Sequence, residues 1–232
     1  MDAHHLSKRL EEVASFVPDG SRLADIGSDH AYLPANLALN GRIEFAVAGE
    51  VVRGPFENAE HEIRREGLAG RVCARLADGL AAIGPEDAID VITICGMGGP
   101  LIRTILEEGR EKLALHPLLI LQPNVGEENV RRFLNDNGYW IEAERILEED
   151  GHTYEIIVGR YHGSRQELTD DELKFGPFLM KERSSAFVRK WKKETDKERR
   201  VLGQLEHASR VPVEKKRELE AEILRIEGVL NG

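Results

Sequence analysis

The sequence predicts an α/β protein, with an open and mostly parallel β-sheet flanked by helices and a helical hairpin after it. Short apolar runs alternate with amphipathic segments through about residue 160, and this alternation is typical of parallel strands connected by helices. Beyond that point the chain is highly charged, and its apolar residues recur only at helical spacing. We therefore predict two domains, one over 1–162 and one over 163–232.

The parallel part of the sheet is predicted from five apolar runs. Strands are expected at 22–27, 44–50, 71–76, 89–95 and 117–122. Helices are expected at 5–17, 31–40, 54–67, 99–114 and 126–137. The fourth and fifth runs are apolar on both faces, which is typical of strands that are covered by helices on both sides.

Two further runs, at 140–148 and 153–161, are joined by the Asp150-Gly151 turn and predict an antiparallel hairpin. With the five parallel strands they make a seven-stranded sheet. Residues 165–232 carry two apolar stripes, formed by Phe187, Trp191, Leu202 and Leu205 and by Leu219, Ile223, Ile226 and Leu230. The break at His207–Val213, which contains Pro212, separates the two stripes. We predict that the tail is an antiparallel coiled coil.

Composition restricts the class of protein. The chain has 232 residues, of which 41% are hydrophobic and 32% are charged, so it can bury a core. It has no apolar run near the roughly 20 residues of a membrane helix and no apolar segment typical of a signal peptide. We expect a cytoplasmic protein without membrane contact, with a monomer favoured. Cys73 and Cys95 are expected to be small buried hydrophobic residues, and the eight histidines show no metal-ligand spacing, so no metal is expected.

The net charge of −10 argues at first against a nucleic-acid partner. The charge is uneven, however. Residues 1–160 hold 16 basic and 28 acidic side chains, a net charge of −12, whereas residues 161–232 hold 16 and 14, a net charge of +2. Within Arg183–Arg200, eight basic residues stand against three acids. This local basic patch is a better guide to partners than the total charge.

A candidate cofactor loop follows the first predicted strand. The apolar run ends at Asp25, and Gly27 allows a tight turn close to a ligand. The dinucleotide fingerprint would need further glycines at positions that hold Asp29 and Tyr32. Without a glycine-rich cradle for a pyrophosphate, the loop favours S-adenosylmethionine (SAM). We assign Asp25, Gly27 and Ser28 to the cofactor, and the alternative for Asp25 is a helix cap.

Carboxylates also end the second and third strands. Glu50, followed by Val51, stands where two carboxylate oxygens match the vicinal hydroxyls of a ribose, and a dinucleotide enzyme would use the same acid. Asp78 and Gly79 follow the third strand, where an acid can accept a hydrogen bond from an adenine amino group. We assign all four to cofactor binding, against the alternatives of a solvated strand end and a plain Asp-Gly turn.

Glycines and amides follow the fourth and fifth strands. Bare backbone lies there at the ligand-binding edge of a parallel sheet, and the residues assigned to the cofactor are Gly96, Met97 and Gly98. Gln122 and Asn124 offer amide donors and acceptors that can read the edge of a base, and Pro123 stiffens their turn. The alternative for the glycines is a simple strand–helix connection.

Asp29 and His30 lie beside the cofactor loop but are not needed to form it. An acid and an imidazole at that place are candidates for proton transfer or substrate orientation. We assign both, together with Gln122 and Asn124, to the catalytic set. The alternative for His30 is a hydrogen-bonded structural histidine.

Five motifs occur in order along the chain: Asp-Ile-Gly-Ser-Asp-His-Ala-Tyr-Leu-Pro at 25–34, Ala-Gly-Glu at 48–50, Ala-Asp-Gly-Leu at 77–80, Gly-Met-Gly-Gly at 96–99 and Gln-Pro-Asn at 122–124. With these motifs the chain resembles the bacterial tRNA adenine-22 N1-methyltransferases. The resemblance covers residues 5–162, and the helical tail extends it. It implies a Rossmann-like class I SAM-dependent methyltransferase domain followed by a coiled-coil domain, with tRNA as the partner and an adenine of the D-arm region as the methylated base.

The resemblance also suggests contacts with the substrate. Tyr32 is a candidate for stacking on an extruded base, and Pro123 is assigned to substrate binding with it. Four residues of the basic patch are expected to bind tRNA phosphates, namely Arg189, Lys190, Lys192 and Lys193. Trp191 would stack on RNA if it is exposed. Three alternatives stay open: a SAM methyltransferase for another RNA, a protein or a small molecule; an NAD-dependent oxidoreductase; and a non-catalytic coiled-coil adaptor.

Overall fold

A computed structural model describes residues 2–206 and 213–231. The chain forms two compact units, Met1–Phe178 and Leu179–Gly232. The boundary therefore lies later in the chain than the sequence predicts, at 178/179 instead of 162/163.

One seven-stranded sheet organises the first unit. Its strands are β1 (Ser21–Ile26), β2 (Ile43–Glu50), β3 (Val72–Leu76), β4 (Val91–Gly98), β5 (Leu118–Val125), β6 (Tyr139–Glu149) and β7 (His152–Tyr161). The strand order is β3-β2-β1-β4-β5-β7-β6, with the first five parallel and β7 antiparallel to both of its neighbours. The predicted seven-stranded, mostly parallel sheet is confirmed.

Helices cover both faces of this sheet. They are α1 (Lys8–Ser15), α2 (Tyr32–Leu39), α3 (Arg53–Arg65), α4 (Gly99–Glu108) and α5 (Glu127–Asp136). One apolar layer packs α1, α2 and α3 against the sheet, and the other packs α4 and α5 against it. The two layers explain why the central strands are apolar on both faces, since each strand contributes side chains to both cores.

The sheet contains a topological switch between β1 and β4. The chain runs outward from β1 to β2 and β3 on one side, then returns to place β4 on the other side of β1. Ligands bind in sheets of this kind in the crevice beyond the carboxyl ends of the two strands at the switch. The topology therefore predicts a ligand-binding site at the residues that follow β1 and β4.

A buried cluster of charges, Arg131, Glu144 and Glu155, explains where the first unit ends. The Arg131 guanidinium on α5 is fully buried and donates to Glu144 Oε1 at 2.6 Å and to Glu155 Oε2 at 2.5 Å. It also donates to the carbonyl oxygen of Lys174 at 2.9 Å. The backbone N–H of Phe178 in turn donates to Glu144 Oε2 at 3.0 Å. These bonds hold the segment after β7 on the sheet unit, so the predicted boundary at 162/163 is too early.

In the part of the chain that the structure describes, four helices follow the sheet: α6 (Asp170–Phe175), α7 (Pro177–Glu182), α8 (Ser185–Glu206) and α9 (Val213–Asn231). The α8 and α9 helices pack on one another, and their buried apolar residues include Phe187, Trp191, Ile223 and Ile226. Trp191 is only 7% exposed, so the condition under which it would stack on RNA is not met. Residues 207–212 of the predicted break lie outside the described residues. The helices are therefore shown, and the coiled coil stays a prediction.

No helix in the described ranges is long and apolar enough to cross a membrane. Cys73 and Cys95 are free and half-buried rather than fully buried.

Candidate active site

A cavity of about 390 Å³ opens at the switch point, beyond the carboxyl ends of β1, β2 and β4. Eight residues that the sequence assigned to cofactor or catalysis line it: Asp25, Gly27, Ser28, Asp29, Glu50, Gly96, Met97 and Asn124. Six further residues complete the lining: Arg9, Leu10, Leu33, Pro55, Cys95 and Tyr154. The cavity thus gathers the ends of several strands that are far apart in the sequence.

Gly27 makes the turn after β1, in a backbone conformation that favours glycine. Its φ of +70° lies in the left-handed region, and a Cβ on it would stand 2.1 Å from Met97 Cε. The glycine therefore serves both the turn and the close approach of the β4 end. The sequence predicted the turn, whereas the contact with Met97 depends on the switch topology.

Asp25 is a buried carboxylate at the end of β1. Ser28 Oγ donates to its Oδ2 at 2.6 Å, and Thr93 Oγ1 of β4 donates to its Oδ1 at 2.6 Å. Burial raises the pKa of the Asp25 carboxyl above its ordinary value, and the two hydroxyl bonds oppose that rise. The carboxylate is thus fixed in place and would gain from a cationic ligand group in the cavity.

Glu50 ends β2 and is also buried. Its Oε1 accepts a hydrogen bond from the backbone N–H of Asp29 at 2.6 Å, which ties the loop after β1 to β2. Burial is the main reason why the pKa of Glu50 is raised. Val51, which follows it, is exposed and is not part of the cavity lining, so its assignment to the cofactor is not supported.

The loop after β1 is strained. Asp29, His30 and Ala31 have φ values of +35°, +65° and +57° in succession, a conformation that disfavours side chains with a Cβ and recurs at functional sites. The Asp29 side chain is 74% exposed, and its Oδ1 lies 3.6 Å from His30 Nε2. The His30 ring stacks on Tyr32 at 5.2 Å between centroids. Asp29 lines the cavity, whereas His30 and Tyr32 do not.

The side chain of Gln122, which lies on β5, holds together the ends of β4 and β5 through hydrogen bonds. The buried amide accepts a hydrogen bond from Gly96 N at 3.0 Å and another from Arg9 Nη1, and it donates to Asn124 Oδ1 at 3.1 Å. Asn124 Nδ2 donates to the Gly96 carbonyl at 2.7 Å. Gln122 therefore lies behind the lining and holds in place Asn124 and Gly96, which belong to it. Gly98 and Pro123 are not part of the lining either.

The structure places Asp78 and Gly79 elsewhere. They line a second cavity of about 220 Å³, together with residues of α4 and the turn after it. Gly79 begins a short 3₁₀ turn that packs on α4, and a Cβ on Gly79 would stand 3.1 Å from Ile105 Cγ2. The two residues nevertheless follow β3, whose neighbour β2 carries Glu50, and Ala77 N donates to the Glu50 carbonyl at 2.9 Å.

Two of the unexpected lining residues come from outside the parallel strands. Arg9 lies on α1, which precedes β1, and Tyr154 lies on β7 of the hairpin. The Arg9 guanidinium carbon lies 5.3 Å from the centroid of the Tyr154 ring. The only sequence signal is a basic residue within an amphipathic helix, and that signal does not distinguish a half-buried cation from a solvated one.

The four basic residues that the sequence assigned to RNA belong to the second unit and lie on α8. Arg189, Lys192 and Lys193 are exposed. Lys190 is half-buried, and its Nζ lies 5.1 Å from the centroid of the Trp191 ring. Within the described residues, no group of three or more His, Cys, Asp or Glu side chains is arranged to hold a metal ion.

Comparison with known proteins identifies related chains. Residues 23–228 match the family model described as tRNA (adenine(22)-N(1))-methyltransferase. A Bacillus subtilis tRNA (adenine(22)-N(1))-methyltransferase is 42% identical over 214 residues, which are 90% of this chain and 89% of the relative. A Streptococcus pneumoniae structure solved in complex with S-adenosyl-L-methionine has 47% identity and a TM-score of 0.90, covering 97% of this chain and 100% of its own. A Mycoplasma capricolum TrmK structure with S-adenosyl-homocysteine has 28% identity and a TM-score of 0.89, covering 98% and 99%.

Proposed function

Because the chain belongs to the tRNA (adenine(22)-N(1))-methyltransferase family, we propose that the cavity at the switch point is where its methyl transfer takes place. The enzyme transfers a methyl group from SAM to N1 of adenine 22 in tRNA. One observation carries the assignment of the site: the Gly27 turn, the buried Asp25 and the buried Glu50 meet in a single cavity.

The acceptor groups of the cavity fit SAM. Glu50 uses one oxygen for the Asp29 N–H, and its carboxylate faces the cavity, where it would accept hydrogen bonds from ribose hydroxyls. Asp25 would face the ammonium group of the methionine part, because a buried carboxylate suits a cationic ligand. The adenine would extend from Glu50 beyond the cavity toward Asp78 and Gly79, at the end of the neighbouring strand. SAM supplies the methyl group on a sulfonium.

The reaction needs alignment more than a strong base. Adenine N1 already carries a lone pair, so the protein must mainly hold N1 in line with the methyl group. Asn124, fixed by Gln122 and by the Gly96 carbonyl, is placed to orient the base edge. The methylated base is a cation, and the exposed carboxylate of Asp29 at the rim would stabilise it. His30 and Tyr32, stacked outside the lining, are placed to flank an extruded base.

We expect Asp29→Asn to lower kcat by roughly tenfold while the Kd of SAM changes little, since an exposed carboxylate stabilises charge only modestly. The substitution keeps the shape and the backbone N–H bond to Glu50. Steady-state methylation of tRNA and calorimetry with SAM would measure the two effects. Asp19→Asn, another exposed acid that pairs with Arg42, serves as the control. An unchanged kcat in Asp29→Asn would exclude a catalytic role for the charge.

We propose that the basic face of α8 binds the phosphates of tRNA. The first 160 residues carry a net charge of −12, so attraction for RNA must be concentrated elsewhere. Arg189, Lys192 and Lys193 are exposed on one helix, and Lys190 lies with them.

We also propose that α8 and α9 form the predicted coiled coil, with a monomer as the working form, and that the enzyme acts in the cytoplasm, where its tRNA substrate is found.

Replacing Arg189, Lys190, Lys192 and Lys193 together with glutamine should weaken tRNA binding roughly 10- to 100-fold and reduce the salt slope by up to about 3.6, since each lost phosphate contact removes about 0.9. Filter binding across a range of salt concentrations measures both quantities. The matched control replaces the same number of charges on α9, at Lys215, Lys216, Arg217 and Arg225. If tRNA binding weakens equally in both variants, the loss comes from the change in net charge, and a specific role for α8 is overturned.

One experiment tests the function as a whole. The purified protein is incubated with labelled SAM and total bacterial tRNA, and the digested RNA is searched for N1-methyladenosine. A transcript with guanine at position 22 should receive no label. Label in a small molecule or a protein would support a SAM methyltransferase that acts on another substrate. Binding of NAD would support an NAD-dependent oxidoreductase. A protein that binds SAM but labels nothing would support the adaptor.

A further inference from the structure

We propose that an apolar rim beside the cavity stacks on the nucleobase next to the target adenine in the RNA chain. The rim consists of Gly98, Pro100, Leu101 and Val125. It lies where β4 and β5 end, since Gly98 pairs with Val125 at the last register position of the two strands. The inference rests on the proposed function and adds to it a contact with a base that is not itself methylated.

Two of the three glycines at the junction of β4 and α4 are required by the fold. Gly96 has a φ of +78°, and a Cβ on Gly99 would stand 2.0 Å from a backbone oxygen of the turn after β5. Gly98, in contrast, has a φ of −72°, and a Cβ on it would meet only Pro100 Cδ at 3.8 Å and Val125 Cγ2 at 4.0 Å. It is also the N-cap of α4, where serine is preferred to glycine. The bare backbone at Gly98 therefore indicates the close approach of a group outside the chain.

The side chains around Gly98 are apolar and exposed. Leu101 is 52% exposed and Val125 is 65% exposed, and Pro100 is exposed as well. The other large apolar side chains of α4 are buried, so Leu101 differs from them in facing solvent. An exposed apolar surface marks a place where a ligand or partner binds, and one that carries no polar side chain suits the face of a ring rather than its edge.

The rim borders the cavity without lining it. Met97 precedes Gly98 and Asn124 precedes Val125, and both Met97 and Asn124 line the cavity. The target adenine has to be recognised by its edge, for which Asn124 offers an amide. The rim has no polar side chain with which to read an edge. It therefore suits a neighbouring base, which needs a covered face but no readout.

Extrusion of the target adenine makes such a contact favourable. When a base leaves the stack, the neighbouring base loses a stacking partner, which is part of the unfavourable free energy of extrusion. Apolar side chains such as leucine and proline that contact the unstacked base offset part of it. Residues 1–160 carry a net charge of −12, so this part of the protein repels phosphates. An uncharged base is thus the part of the RNA that the rim accepts.

Replacing both Leu101 and Val125 with alanine should lower kcat/KM for tRNA roughly five- to tenfold, the low end for one stacked base, because aliphatic side chains replace an aromatic ring. The Kd of SAM should stay within about twofold of the wild type. Gly98→Ser should also lower kcat/KM, since its side chain would stand on the bare backbone, and yet raise Tm slightly, because serine caps α4 better. Steady-state methylation, calorimetry and thermal unfolding measure these effects.

Two modified transcripts identify the base. One lacks the base on the 5′ side of adenine 22, and the other lacks the base on the 3′ side. On one of these transcripts the difference in kcat/KM between the wild type and the double alanine variant should disappear, because the partner of the rim is then absent and the two changes form a double-mutant cycle. A difference that persists on both transcripts would overturn the proposal.

Leu115→Ala is the matched control. Leu115 is 73% exposed and precedes β5, so it lies at the opposite edge of the sheet from the rim, and its kcat/KM and SAM affinity should match the wild type. A double alanine variant that loses SAM affinity in proportion to kcat/KM would assign the rim to the cofactor and overturn the proposal. Wild-type protein that methylates no transcript would overturn the proposed function and this inference with it, which is a different outcome from a persistent difference.

Discussion

Replacing Glu50 with alanine should weaken SAM binding by about 2–4 kcal/mol, or roughly 30- to 1,000-fold in Kd. The side chain is buried at the end of β2, and its loss would leave two ribose hydroxyls in a cavity that no longer offers them a carboxylate. It would also free the N–H of Asp29, which Glu50 holds at 2.6 Å. Calorimetry with SAM measures the effect directly.

Two variants separate these contributions. Glu50→Gln keeps an acceptor for the Asp29 N–H but loses the charge, so its SAM affinity should lie between those of the wild type and Glu50→Ala. Glu57→Ala removes an exposed acid of α3 that pairs with Arg53 and does not line the cavity, and its affinity should not change. SAM affinity in Glu50→Ala equal to that of Glu57→Ala would refute the assignment of Glu50 to the ribose.

Replacing Arg131 with methionine should lower the free energy of unfolding of the first unit by about 3–5 kcal/mol, the usual effect of breaking a buried ion pair. The fully buried carboxylates of Glu144 and Glu155 would then lose the guanidinium with which both of them pair. Burial already raises the pKa of Glu144 against the attraction of Arg131. Urea unfolding followed by a probe in the sheet measures the change, as a shift of midpoint at constant slope.

Arg132 offers a control on the same helix. It is partly exposed and pairs with Glu128 and Asp170 at the surface, so Arg132→Met should cost less than about 1 kcal/mol. If the two methionine variants unfold at the same urea concentration, the buried cluster does not stabilise the unit as we infer.

The strands could be predicted within one to three residues because parallel strands covered on both faces leave continuous apolar runs. Some predicted helices are longer than the observed ones, because a cap or a turn ends the helix earlier than the apolar pattern does. The helix predicted at 5–17 begins at Lys8, since Ser7 Oγ accepts from Leu10 N. The helix predicted at 99–114 ends at Glu108, and the chain continues after Gly109 as a 3₁₀ helix over Arg110–Leu115.

Some residues of the candidate site could likewise be predicted from the sequence, and others could not. Asp25, Gly27 and Glu50 could be found because a fold with parallel strands brings strand ends to one edge. Arg9 and Tyr154 could not, since α1 and the hairpin reach that edge only through tertiary packing. Asp78 was predicted from its strand, but the 3₁₀ turn after it opens onto the second cavity.

The buried cluster around Arg131 could not be predicted from the sequence either, because it too depends on tertiary packing. Arg131 lies in a helix with many charges, and nothing in the local sequence distinguishes it from Arg132, which is solvated.

The bonds from Arg131 to Lys174 and from Phe178 to Glu144 also have an evolutionary consequence. A gene fusion that exchanged the tail at residue 162 would remove Leu173 and Phe175, which are buried, and would leave the guanidinium short of an acceptor. A recombination joint after Phe178 keeps these partners with the sheet. Chimaeras of related enzymes that exchange their C-terminal helices should therefore be viable when joined after 178 and should aggregate when joined at 162.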